Sequence, residues 1–195
     1  TRSFWAITIS HTMTNLSVGA ISSHIYFQLT DNNGVDLSDT SAATIMPIMA
    51  LASFSFQILG GITGDRIGIR TMLPILILLQ GSALILLAEA TTYWSAVMFA
   101  LLWGLGFGAR TPLMHALRGE YFGRKSFARL RGILNSLGII GMGTTVLAGW
   151  VFDTTESYSL FLLGTAIFSV LAGFTVILFL RKPQKPLSNV SVIAP

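Results

Sequence analysis

Six stretches of this chain are long and apolar enough to be read as membrane spans, and that leaves few folds open. A bilayer-crossing helix needs roughly 20 mostly apolar residues. Phe4–Leu29, Thr40–Gly60, Met72–Ala88, Tyr93–Met114, Ile133–Phe152 and Leu160–Leu180 come close to or reach that length. Within lipid, every backbone N–H and C=O must find a partner inside the protein, so segments of this kind fold as helices. The expected fold class is therefore an all-α membrane protein. Charged residues make up 10% of the chain, against about 25% in soluble domains. The formal charge of +4 then bears on orientation in the bilayer, and no nucleic-acid partner is expected. The chain has no cysteine, which excludes a disulfide framework and thiol chemistry.

The connections set the topology. Spans one and two are joined by Thr30–Asp39, spans three and four around Glu89-Ala90-Thr91-Thr92, and spans five and six by Asp153–Tyr158; none of the three holds a Lys or Arg. All twelve basic residues fall on the opposite side: Arg2, then Arg66 and Arg70, then Arg110, Arg118, Arg124, Lys125, Arg129 and Arg131, then Arg181, Lys182 and Lys185. By the positive-inside rule that side is cytoplasmic, with both ends of the segment facing it. A multi-pass protein of the plasma (inner) membrane is expected, with Tyr26, Tyr93, Trp94 and Tyr158 as interfacial aromatics. Residues 1–181 read as one six-helix bundle, and 182–195 as a cytoplasmic tail expected to be disordered. The start, Thr1-Arg2-Ser3, has neither a methionine nor a signal-peptide pattern, so the chain reads as a piece of a longer protein.

Between spans two and three lies the glycine-rich stretch Gly60-Gly61-Ile62-Thr63-Gly64-Asp65-Arg66-Ile67-Gly68-Ile69-Arg70. Its charges suit a tight turn at a membrane surface, and its glycines suit sharp turns and close helix packing. The pattern Gly61-x-x-x-Asp65-Arg66-x-Gly68-x-Arg70 resembles the loop signature that the major facilitator superfamily of secondary transporters carries after its second helix and, in degenerate form, after its eighth. Ile69 stands where the signature has a basic residue, which fits the degenerate copy. The fifth span has Gly138, Gly141, Gly143 and Gly149 but no Gly-Pro pair, and a short basic tail closes the chain. The resemblance is therefore to the C-terminal half of such a transporter, helices seven to twelve, and implies a missing N-terminal six-helix half as partner. It also implies that Asp65, with Arg66 and Arg70, latches helix eight to helix eleven. The run Gly119–Lys125 resembles, more loosely, loops of the monocarboxylate and oxalate/formate branch, which leans the substrate toward an organic anion. Against that lean, span two lacks an intramembrane arginine.

The resemblance implies that spans one, two, four and five line a central cavity and that three and six are outer supports. The residues agree independently. Span three has little polar besides Gln80 and Ser82, whereas span one carries Thr8, His11, Thr12, Asn15, Ser17, Ser22, Ser23 and His24. At helical spacing Thr8, His11 or Thr12, Asn15, Gly19, Ser22 and Tyr26 share one face. Lipid penalises such a stripe, so it is expected to face the interior. Asn15 and Ser22 either line the cavity or bond neighbouring helices; His11 either bonds a neighbour or serves as a substrate or proton group; His24 reads as interfacial. Arg110, after Gly104, Gly106 and Gly108, is the charge set deepest in a span. It either meets an anion on the substrate path, snorkels to headgroups, or pairs with Glu120.

No acidic residue lies in the middle of a span, so a proton-coupling carboxylate would have to sit in the missing half, or His11 would have to serve. There is no H-E-x-x-H and no pair of intramembrane carboxylates; no enzyme activity, cofactor or metal is expected. The expected function is secondary transport of a small solute by alternating access. The alternative is a transport-inactive sensor or scaffold on the same fold.

Overall fold

The computed structural model describes residues 2–180, leaving aside the side chains of residues 2, 122–131 and 133–142. The tail after Leu180 and the side chains of Arg124, Lys125, Arg129 and Arg131 thus lie outside the described residues. Among the described residues the chain is helical throughout: α1 (Arg2–Thr30), α2 (Asp39–Ile67), α3 (Ile69–Ala88), α4 (Tyr93–Trp103), a π-helical stretch (Gly104–Gly108), α5 (Ala109–Thr155) and α6 (Ser159–Phe179). Four helical stretches are long and apolar enough to cross a membrane: Asp39–Ile67, Ile69–Ala88, Tyr93–Tyr121 and Ser159–Phe179. α1 is as long as α2, at 29 residues, but its hydroxyl, amide and imidazole side chains lower its hydropathy.

Local chemistry explains the boundaries. Ser38 starts α2 by accepting from the Ser41 amide, and Thr92 and Ser95 cap α4 reciprocally. The turn between α2 and α3 is narrower than the sequence suggests. α2 continues through Asp65 and Arg66, and the chain turns at Gly68 alone, whose φ of +96° admits glycine and little else.

α4, the π-helical stretch and α5 follow one another without a loop. The break expected between Met114 and Ile133 is therefore not a break in helical backbone. The chain nevertheless reverses. A straight helix would hold Arg110 and Thr144 roughly 50 Å apart, yet they bond Thr14 and Leu16, two residues apart on α1.

Two apolar cores form at opposite ends of the bundle. One joins Ile25, Leu29, Leu87, Ala90, Phe99 and Tyr158 at the Thr30 end of α1. The other joins Ile7, Leu73, Ile77, Leu113, Leu117 and Val176 at the Arg2 end. α3 packs along α6 and α4, and α1 along α5 and α6. α3, expected at the periphery, is well enclosed in this chain and buries Gln80 completely. α2 presents Leu51, Phe54, Ile58 and Ile62, and α6 presents Ile167, Leu171, Phe174 and Leu178. These stripes follow helical spacing, as for faces covered by lipid or another apolar surface. Of the aromatics read as interfacial, Trp94 is 73% exposed. Tyr158 instead is buried and stacked on Phe152 at 4.5 Å.

Candidate functional site

Glycine builds the site's backbone. Gly104, Gly106 and Gly108 form the π-helical stretch just before Arg110. A Cβ on Gly104 would lie 2.5 Å from the Ala52 Cβ, and one on Gly106 would lie 2.8 Å from the Gln80 backbone nitrogen. Gly108 lies against the Ser53 backbone in the same way, and Gly60 against Ala109. The absent side chains let this stretch sit directly on α2 and α3. A π turn takes an extra residue, so it resets the face that the following residues present. Phe107, Arg110, Thr111, Met114, His115 and Arg118 follow at spacings of three and four, and all line one cavity. α1 closes the opposite wall with His11 and Asn15; the volume is about 120 Å³.

Arg110 is 2% exposed and does not snorkel. Its Nη1 donates to Thr14 Oγ1 at 2.7 Å and its Nη2 to Asn15 Oδ1 at 3.4 Å. The guanidinium carbon lies 5.9 Å from the Phe107 ring centroid, within reach of a cation–π contact. Its Nε has no partner. Glu120, the acid nearest in sequence, is turned away to Arg70 at 3.1 Å. Among the described residues no carboxylate meets Arg110. Among the described residues this buried guanidinium is thus held by a hydroxyl, an amide and an aromatic face, with no opposite charge to offset its burial.

Hydrogen-bond polarity carries the order of the site one residue further. Arg110 can only donate, so Asn15 must turn its Oδ1 toward it. That leaves Asn15 Nδ2 facing His11 Nε2 at 2.9 Å. The amide donates there, so the imidazole accepts, with Nε2 at 2.9 Å the nearer nitrogen and Nδ1 at 3.4 Å from the same amide. His11 is thus a prop for Asn15, and Asn15 a partner for Arg110.

The expected face of α1 divides in two. His11 and Asn15 reach the cavity. Ser22 does not; its hydroxyl returns to Val18 O on its own helix at 2.6 Å. Ser10, Thr14 and Ser17 form a second, wholly buried stripe. Gln80 meets it, donating to Thr14 O and Ser17 Oγ at 3.3 Å each. Sequence reasoning passed over Thr14, His115 and Arg118. Thr14 sits beside the stripe that spacing picks out, Arg118 counts among the basic residues of the cytoplasmic side, and His115 falls in no motif. The Thr111–Met114–His115–Arg118 spacing was the signal that would have found them.

The turn motif lies apart from this cavity. Asp65 and Arg66 are exposed, and Asp65 pairs with no described residue. Gly61 faces open space, while Gly60 and Gly64 press on Ala109 and Leu113. The cross-link here is made by Arg70, which bonds Glu120 and lies 5.5 Å from the Tyr121 ring centroid. Asp65, Gly68, Arg70 and Glu120 border a separate open crevice. No cluster of metal-binding side chains occurs among the described residues.

The family model of the Major Facilitator Superfamily matches residues 3–194. The chain belongs to that superfamily. It is also 31% identical over 140 residues to the 4-hydroxybenzoate transporter PcaK of Acinetobacter baylyi, a match covering 67% of this chain and 28% of that protein. The match thus spans less than a third of the length of this curated relative.

Proposed function

We propose that this chain is the C-terminal six-helix half of a twelve-helix secondary transporter that carries a small organic anion. The observation behind the anion is the Arg110 guanidinium, 2% exposed, with no carboxylate partner among the described residues. A ligand carboxylate would supply the missing charge and take the Arg110 donor that has no partner. PcaK, by its name a carrier of an aromatic carboxylate, supports that class. The mechanism proposed is alternating access, with this bundle rocking against an N-terminal half around a midplane site. On this reading α1 and the second limb of α5 complete the set of six spans. The charge asymmetry of the connections supports an orientation with both ends of the segment on the cytoplasmic side, and the membrane proposed is the plasma (inner) membrane.

The test is uptake of labelled 4-hydroxybenzoate and smaller carboxylates by cells making the full-length protein. Arg110→Gln keeps size and polarity and removes the charge. Uptake is expected to fall about a hundredfold, the equivalent of ~3 kcal/mol, with the protein still present in the membrane. Arg110→Lys is expected to recover part of it, since an ammonium keeps the charge and loses the planar fork. Uptake by Arg110→Gln at the unaltered rate would overturn the anion reading.

A further inference from the structure

Arg118 is the residue this cavity does not yet account for. It is 6% exposed and lines the same space as Arg110. Its Nε and Nη2 are buried without partners. Its nearest acid in sequence, Glu120, is committed to Arg70. The cavity therefore holds two buried guanidiniums, and no carboxylate among the described residues answers either. A monocarboxylate that settles on Arg110 satisfies one and leaves the other bare.

The spacing says what would satisfy both. Arg110 and Arg118 stand on one stretch of α5, about 12 Å apart in helical rise, so they approach the ligand from different ends. Between them on the helix lie Thr111, Met114 and His115, with the Phe107 ring beside Arg110. The cavity volume is about 120 Å³. A cavity of about 150 Å³ is enough to take benzene, so the part of the site that this half supplies is on the scale of one small flat ring.

We infer that Arg118 is a second anchoring residue, and that the ligand is a small flat acid with oxygen groups at both ends: a carboxylate for Arg110 and a hydroxyl or second carboxylate for Arg118. This rests on the proposal that Arg110 binds an organic anion, and it narrows that proposal from any carboxylate to one with a far-end acceptor. Guanidinium donors discriminate strongly here, because a ligand lacking the far oxygen leaves buried N–H groups unpaired.

Three probes separate the possibilities: benzoate, 4-hydroxybenzoate and benzene-1,4-dicarboxylate. Their binding is measured by calorimetry on the purified full-length protein in nanodiscs. The unaltered protein is expected to bind the two double-ended acids at least tenfold more tightly than benzoate. Arg118→Gln is expected to erase that preference and leave benzoate within twofold. Arg118→Lys keeps the charge if the Gln variant fails to fold, and is expected to shrink the preference without abolishing it. Equal binding of all three acids by the unaltered protein overturns the second anchor. So does an Arg118→Gln or Arg118→Lys variant that keeps the full preference, or an Arg118→Gln variant that weakens benzoate as much as the others. Failure of all three to bind, or binding indifferent to Arg110→Gln, instead overturns the anion reading on which the second anchor depends.

Discussion

α1 meets α5 at two places, and each holds a histidine of α1. At the Thr30 end, His24 Nε2 lies 2.9 Å from Thr145 O, and its Nδ1 lies 3.1 Å from the Tyr158 hydroxyl. The same end is tied again by Asn33 Nδ2, which donates to Glu156 O at 3.1 Å. The cavity there is about 10 Å³, room for a single water. Toward the Arg2 end, His11 and Asn15 face Arg110 and Arg118, the cavity is twelve times larger, and guanidinium N–H groups stay unpaired. The same two helices carry similar residue types, yet one junction is filled and the other keeps a cavity with unpaired guanidinium donors. What separates them is whether donors find acceptors. At the Thr30 end the donors of His24 and Asn33 find acceptors and, among the described residues there, only the acceptor Gln28 Oε1 is left without a partner, whereas at the other end it is cationic donors that stay unpaired.

The sharpest way to break the open junction is through the backbone that supports it. Gly108→Val puts a branched side chain where even a Cβ meets the Ser53 backbone. Overpacking typically costs 1–3 kcal/mol, about 3 kcal/mol or more where backbone must move. The expected result is a fall in thermal midpoint together with loss of carboxylate binding. Gly61→Val serves as the contrast, because Gly61 faces open space. It is expected to leave the midpoint nearly unchanged, and an equal loss from both would show that the glycines matter only for helix propensity or flexibility.

Exchanging the histidines tests the comparison directly. His24→Phe removes two interhelical hydrogen bonds at about 0.6 kcal/mol each in membrane proteins, so a stability loss of about 1 kcal/mol is expected, with carboxylate affinity intact. His11→Phe removes the acceptor that orients Asn15. Asn15 can then turn its amide, and Arg110 loses its fixed partner. The expected result is several-fold weaker carboxylate binding with little change in the midpoint. If His24→Phe weakened binding more than His11→Phe, the two junctions would have been assigned the wrong way round. Gln80→Leu should act more weakly still. It removes two long bonds of 3.3 Å to α1 but also a buried Oε1 that has no partner. The two changes nearly offset, and a midpoint shift beyond about 1 kcal/mol would show Gln80 to be a keystone of the Thr14 stripe.

How much of this was legible from sequence follows from what each pattern reports. Apolar runs report where helices lie, because burial and lipid both demand them: α1, α3 and α6 fall within a few residues of the expected spans, while α2 runs on seven residues past Gly60 to Ile67. Arg110, His11 and Asn15 stood out because a polar group inside an apolar run is costly wherever it points. Arg118 did not, because a charge near a span's end satisfies the positive-inside rule without any further role, and His115 near it falls in no motif. Ser22 was placed with His11 and Asn15 by spacing, yet a serine can satisfy itself on its own helix, as its bond to Val18 O shows. In the turn motif the letters mark Gly61, but contact falls to Gly60 and Gly64, since which glycine faces the neighbour depends on how α5 crosses α2. The helical backbone between Met114 and Ile133 was hidden for a related reason. A basic segment with interleaved apolar residues suits a helix as well as a connection, and composition does not tell them apart.

The smallest expected effect belongs to the closed junction and appears only in alkali. Tyr158 lies in the connection before α6, and its phenol is held above the ordinary tyrosine range, chiefly by burial and then by the negative charges of Asp31 and Asp153. In an unfolded chain the same phenol ionises near pH 10. Between that point and the raised folded value the unfolded state sheds its proton first, so stability present below about pH 10 falls as pH rises, by at most about 1.4 kcal/mol per pH unit. Hydrogen bonding adds a second reason. His24 has Thr145 O opposite Nε2, so Nε2 donates and Nδ1 must accept from the Tyr158 hydroxyl. A phenolate has no proton to give and would set two acceptors face to face. Thermal midpoints measured from pH 8 to pH 11 on the unaltered protein and on Tyr158→Phe separate this group from the lysines and other tyrosines that titrate alongside it. The phenylalanine variant should start slightly lower and then lose less with rising pH. Parallel curves would mean that Tyr158 keeps no proton that the unfolded chain loses, and that the Thr30 end is held by packing against Phe152 instead of by its hydroxyl.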